Sequence, residues 1–396
     1  MKPHASISAC LLLCLTQAGT WADGGQAIES GGLRRDVIES DLVHASSDSW
    51  PGWLALRMDP AIPPDREIVS AMCLQDGQLV VGGFEPVGKD LWWRNPHLGA
   101  FRMDLDRVSW IGPASLLREG PPMRDQVRFV NGDQAEGFIQ SIDVEHGVRV
   151  ETTGGGDAAT RGTVDHDLSR IASIRMSERA EKPTGWRIWL RDGSRIDADA
   201  WTRQGERIVL RGCHLPAAPP SITLGWNQVG AIRRDSTSPL PLASLAWSAS
   251  DVPDSPRLSP ARVHVVPEIV PLGLQAIDLH GPGTFQATVP AGGVVDGALS
   301  APPSLGGQIG CTVVVLDGDR EMLRTRASGP AWNARVHGPV ETGRLVVRIK
   351  GSDRGAFGAA VRWCEAIVVP GTTGSPAASS PPATGTGGPL VAPASR

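Results

Sequence analysis

The chain of 396 residues has no tyrosine, so any aromatic platform must come from its 13 Trp or 6 Phe. Charge of one sign is also lacking. The 38 Lys and Arg against 42 Asp and Glu leave a net charge of −4, which gives no argument for nucleic acid or an anionic membrane as partner. No transmembrane span is expected, because the apolar run Ile7 to Leu15 falls well short of the ~20 residues that cross a bilayer. Enzyme signatures are missing too. There is no Gly-x-Ser-x-Gly, no His-Glu-x-x-His and no Gly-rich phosphate loop followed by Lys. No Cys-x-x-Cys or Cys/His spacing suggests zinc. His264, His280 and His337 are scattered without a visible partner, so the chain reads as non-catalytic and without a cofactor.

What is present begins with a leader pattern. Lys2, the apolar run and Thr20-Trp21-Ala22 read as a signal peptide over residues 1–22, cleaved before Asp23. The alternative is a lipoprotein box, Ile7-Ser8-Ala9-Cys10, with Cys10 acylated. Either reading implies export to the periplasm, cell surface or medium. After cleavage, Cys73, Cys213, Cys311 and Cys364 remain, an even number that permits disulfides. Cys311 and Cys364 fall on predicted strands of one domain and are the candidate pair; buried thiols are the alternative. Gly and Pro, 47 and 33, make up about a fifth of the chain, as short strands joined by turns require.

Residues 23–67 read as an irregular segment, with Val37 to His44 a short helix or strand and Trp50, Trp53 and Leu54 docking on the next unit. From 68 to 235 one pattern recurs three times, at about 68–115, 125–178 and 186–235. Each copy opens with a strand into Asp76-Gly77, Asn131-Gly132 or Asp192-Gly193, the strongest short hairpin signal. Each closes on an apolar residue, two variable residues, Val or Ile, two more, then Ile: Leu105 to Ile111, Leu168 to Ile174, Trp226 to Ile232. That spacing predicts a helical turn feeding a final strand, with Val108, Ile171 and Val229 equivalent. Units of this size resemble small SH3-like or Sm-like barrels, which alone would bury little surface.

Residues 236–261 read as a Ser- and Pro-rich linker and opening strand, and 371–396, almost wholly Gly, Ala, Ser, Thr and Pro, as a disordered tail. Between them, Cys311 to Asp317, Gly343 to Ile349 and Val361 to Val369 are β-branched runs bounded by Gly, Asp or Pro. They predict a β-sandwich over 262–370. The order of strand, Asp317-Gly318, Gly343-to-Ile349 strand, and Trp363 with Ala366 resembles the NPCBM-type module, as do Ser244-Leu245-Ala246-Trp247 and Pro271-Leu272-Gly273-Leu274. That resemblance implies an all-β protein ending in a galactose-binding-like, jelly-roll sandwich of secreted bacterial proteins, with carbohydrate as ligand. Arg362 and Glu365 stand where the family pattern shows acidic residues, and no Asp precedes Trp363.

For ligand contacts, exposed Trp is the lead, since sugar faces stack on flat rings. Trp332 follows a turn, and of Trp92-Trp93 one ring faces out on a strand, which makes Trp332 and Trp93 the platform candidates. Asp317 and Asp319, with Glu321 and with Asp296 and Asp353 as further oxygen sources, are the acidic candidates, although six to eight oxygens are needed for calcium and a solvated hairpin is the plainer reading. Two functions remain open: an envelope protein whose sandwich binds a glycan, or a structural protein that contacts other envelope proteins.

Overall fold

The computed structural model describes residues 25–29, 34–37, 42, 45–49, 55–58, 70–113, 122–153, 161–177, 185–216, 219–234, 239–251, 260–266, 270–305, 308–351 and 358–371. The leader, Cys10, Trp50, Trp53, Leu54, Asp353 and the tail from 372 onward lie outside them. Strands and three-residue 3-10 turns make up the named elements, so the protein is nearly all β.

The three Gly hairpins share one hydrogen-bond pattern. Gly77, Gly132 and Gly193 each take positive φ, between +79° and +92°, which other residues adopt only under strain. Their N–H groups donate to the carbonyls of Leu74, Phe129 and Leu190. The next residues, Gln75, Val130 and Arg191, donate to Arg107, Arg170 and Gln228, each the last residue of a 3-10 turn. A β-bulge then pairs Leu74 with Val108, Phe129 with Ile171, and Leu190 with Val229. The three residues are therefore equivalent in backbone role. Val108 and Val229 are fully buried, whereas Ile171 is half-buried.

The copies do not close into separate units. In the second, the strands run Arg161–His166, Gly147–Thr153, Gln134–Asp143, Asp125–Phe129, Ile171–Arg175 across the sheet. The third has the same order, from Ser221–Gly225 to Val229–Arg234. In the first, Gly83–Val87, Asp90–Asn95 and Gly99–Arg102 form a three-stranded sheet of their own. The closing strands of the first and second copies pair with each other, and Leu79 bridges to Arg195 of the third. One 16-stranded sheet results. The expectation that residues 23–67 are irregular is corrected here: Gly25–Ile28, Arg34–Val37 and Ala55–Met58 extend this sheet from Val229–Arg234. An open strand edge recruited them, which no local periodicity in Arg34-Arg35-Asp36-Val37 announces.

The described residues between 240 and 369 form two antiparallel sheets. The first orders Arg262–Val265, Ile277–His280, Ala360–Val369, Gly293–Ser300 and Asn333–Val340, with Leu240–Pro241 added to Ala360–Val369. The second orders Trp247–Asp251, Gly283–Thr288, Arg344–Gly351, Gly310–Asp317 and Arg320–Ser328. The stretch read as a linker thus supplies a strand to each sheet. Alternate residues from both sheets, among them Phe285, Leu299, Val313, Val315, Val347, Val361 and Trp363, fill the space between.

A bulge in Ala360–Val369 decides how the sandwich meets the rest. Val361 and Trp363 point inward, but after the bulge at Glu365 the inward residues are Ala366 and Val368. Ile367 and Val369 consequently face away from the sandwich core. They pack with Leu272 and Leu274 against Ile28, Ala55, Trp189 and Ala231 of the large sheet. Sandwich and repeats share this apolar seam.

Candidate functional site

The two ends of the sandwich differ. At one end the strands turn through tight hairpins, such as Asp317 to Arg320 and Val340 to Arg344. Asp317, nearly inaccessible, seals this end. Its carboxylate accepts from the backbone N–H of Glu341 (2.9 Å) and Thr342 (3.0 Å), from the Thr342 hydroxyl (2.5 Å) and from Arg320 (3.1 Å). Burial pushes this carboxyl upward, but those donors outweigh it and hold it below the ordinary value. Asp317 is thus a hairpin clamp with its oxygens already used, and the reading of it as a ligand-binding acid is corrected. Asp319 is exposed at the tip of the same hairpin, and among the described residues no three His, Cys, Asp or Glu side chains gather as a metal site.

At the opposite end lie the connections 281–282 and 329–332. Trp332 sits here. Gly329, at φ +78°, turns the chain, and the Trp332 N–H closes the turn on the Gly329 carbonyl at 3.4 Å. The ring is half-buried, with one part packed on the sandwich core. Next to it in the chain, Asn333 is exposed and pairs across the sheet with Ser300. An anchored ring with an accessible part, beside amide and hydroxyl groups, can stack a sugar face and hydrogen-bond its hydroxyls.

Trp93 is not such a ring. It has no accessible surface, stands edge-on to Phe84 at 5.4 Å between centroids, and donates its indole N–H to the Val80 carbonyl at 3.2 Å. Its neighbour Trp92 is the half-exposed one, as alternation along Asp90–Asn95 requires. The candidate disulfide is corrected as well. All four described cysteines are thiols. Cys311 points between the sheets, where burial pushes its thiol up to about 12. Cys364 lies on the other sheet with outward parity, 3.6 Å from the Ser300 hydroxyl. With one side chain between the sheets and the other on the outer face of the facing sheet, the pair cannot meet the geometry of an S–S bond.

A charged cluster at the seam was missed in the sequence. Asp296, almost wholly buried, accepts from Arg34 (2.8 Å), Arg335 (3.0 Å) and His337 (3.3 Å). Glu365, the bulge residue at φ +51°, pairs with Arg34 (2.6 Å) and with Arg57. Burial raises the Glu365 carboxyl, but Arg57 and Arg34 outweigh that and hold it below its ordinary value. Arg34 and Arg57 come from the N-terminal strands, more than 230 residues away, so only the fold brings these groups together. Arg362, outward on the same strand, forms a two-bond pair with Asp278 at 2.7 and 2.9 Å. These side chains satisfy each other, and Arg34 and Arg57 tie the large sheet to the sandwich rather than to a ligand.

No protein-family model matches the chain, and neither does a curated protein. Solved structures do. One is a CBM51 carbohydrate-binding module of a family 95 glycoside hydrolase from Clostridium perfringens, in complex with methyl-galactose; identity is 11%, coverage 33% of this chain and 99% of that one, and the TM-score 0.27. Another is the tandem CBM51 pair of the family 98 glycoside hydrolase from Streptococcus pneumoniae, at 8% identity, 87% and 88% coverage and TM-score 0.24. A third joins an M60 catalytic domain to two CBM51 domains in Clostridium perfringens, at 9% identity and TM-score 0.27, with 76% of this chain aligned to 31% of that one.

Proposed function

We propose that this is a non-catalytic, exported protein whose C-terminal sandwich binds a glycan at the end that carries Trp332. The observation behind this reading is the position of that ring: anchored on the core, partly accessible, and placed in the 329–332 turn at the end opposite the Asp317 clamp. The sandwich is read as NPCBM-like and the three repeats as SH3-like or Sm-like units, with Met1 to Ala22 as the export signal. The experiment is a glycan array probed with the mature protein and with Trp332→Ala. Binding by the wild type, lost in a variant that melts at the same temperature, supports the reading; binding that ignores Trp332 sinks it.

A second reading, contact with envelope proteins, is favoured by the second repeat. Phe138 and Val130 expose 63% and 69% of their surfaces there, in a repeat whose outermost strand, Arg161–His166, is a sheet edge. Pull-down from envelope extracts, with Phe138→Ser as the variant, tests it.

A further inference from the structure

The outer face of the second sandwich sheet carries cations with little to balance them. On Arg320–Ser328, Arg324 and Arg326 point outward; on Arg344–Gly351, Arg344, Arg348 and Lys350 do. All five are exposed. Among the described residues the acid within this array is Glu321, which pairs with Arg324 at 2.5 Å. Five positive charges less one negative leave a formal +4 on a face of a chain whose overall charge is −4.

Register fixes how these charges are spaced. Val314 pairs with Arg324 on one side and Arg348 on the other, and Thr312 with Arg326 and Lys350. The four side chains therefore stand at the corners of a rectangle, about 7 Å along the strands and about 10 Å across them. Beneath lies an outward apolar patch of Val314, Leu316 and Val346, each at most 4% accessible. The long Arg and Lys stems cover it while their charged heads reach water. Covering explains the stems, but polar heads of either sign would serve; it does not explain heads of one sign.

Across the rest of the face the sheet changes character. Thr284, Gln286, Ser248 and Ser250 supply outward hydroxyl and amide groups instead of charge. Cations beside neutral donors and acceptors match a chain of hydroxyl-rich units bearing regular acid groups. Of the array, Arg326 and Lys350 lie toward the Trp332 end, two residues and one residue from the ends of their strands, and Arg344 lies at the other end.

We propose that this face binds an acidic polysaccharide, one bearing carboxylate or sulfate groups, with Arg326, Arg348 and Lys350 as the contacts to its acid groups. The proposal rests on the glycan-binding reading and names the charge class of the ligand. Because such contacts release counterions, affinity should fall roughly tenfold or more when salt rises from about 50 to about 200 mM.

The test uses the full mature chain, with polygalacturonate, dextran sulfate, neutral dextran and duplex DNA as probes in affinity electrophoresis. The wild type should bind one or both acidic polysaccharides, with the salt dependence given above, and the two probes tell carboxylate from sulfate. Arg326→Gln/Arg348→Gln/Lys350→Gln, which keeps most of each stem, should lose at least tenfold in affinity while melting as the wild type does. If the triple variant unfolds, the single Lys350→Gln and the wild-type salt dependence carry the test. Trp332→Ala should weaken the polyanion binding measurably but keep a substantial share of it. Retention of Trp332-dependent glycan binding with no response to the charge variants overturns this proposal alone. Polyanion binding that ignores Trp332 overturns the Trp332 site alone. Duplex DNA bound as tightly as either polysaccharide, or neither polysaccharide bound, also overturns the proposal.

Discussion

Replacing Trp363 by Ala would test the centre of the sandwich. The ring has no accessible surface. Its strand pairs it with Ile277 on one side and Leu299 on the other, and Trp247 lies against it at 6.4 Å between centroids. Gly297 is shaped around it, because a Cβ there would stand 2.5 Å from the indole nitrogen. A buried Trp removes ~150–250 Å² from water, which at ~25 cal/mol per Å² gives about 4–6 kcal/mol. Large-to-small core changes of this type cost ~3–5 kcal/mol in practice, since part of the space collapses. For a unit of this size that loss lowers the melting temperature by about 10–15 °C. Scanning calorimetry of the full chain reads it, with Trp363→Phe as the milder variant should Ala abolish folding. A melting temperature unchanged by Trp363→Ala would refute the core assignment.

Arg34→Ala strips Asp296 of its shortest cation contact and Glu365 of one partner. Breaking this nearly buried pair should cost about 3–5 kcal/mol, seen in denaturant melts; no loss would mean the seam holds by apolar packing alone. Glu365 titrates below its ordinary value of 4.5, so its contribution is full above that pH and is lost as pH falls through the lower folded value. Glu365→Gln should accordingly flatten the acid limb of the melting temperature against pH, and an unchanged limb would contradict the pairing. Because Cys311 and Cys364 are thiols, one between the sheets and the other on the outer face of the facing sheet, a reductant should leave the melting temperature where it was. Mass spectrometry of the alkylated, non-reduced protein would find any bridge. Gly193→Ala forces a Cβ onto a backbone at φ +92° and should cost about 1 kcal/mol, with the same change at Gly77 and Gly132 costing as much; thermal melts compare the three.

The sequence by itself determined the local layer of this protein. Asp-Gly or Asn-Gly with a closing turn of Val or Ile, two residues, then Ile is a short-range signal, and the three hairpins, 3-10 turns and bulges form where it occurs. Alternation put Val361 and Trp363 inside and gave Arg362 an outward place, where Asp278 meets it. Such features depend on neighbours a few residues apart, whose geometry the chain fixes wherever it goes. The tertiary structure alone decided which strand edges joined. Nothing in the sequence of Arg34–Val37 says that it extends a sheet built 200 residues later, or that Arg34 will reach Asp296. One bulge at Glu365 reversed the facing of Ile367 and Val369 and turned a core strand into a docking surface. Burial likewise parted the candidates: Trp93 and Trp332 are both aromatic residues, yet one fills a core and the other stays partly open. Exposure is a property of what packs from elsewhere in the chain, and a single strand does not contain it.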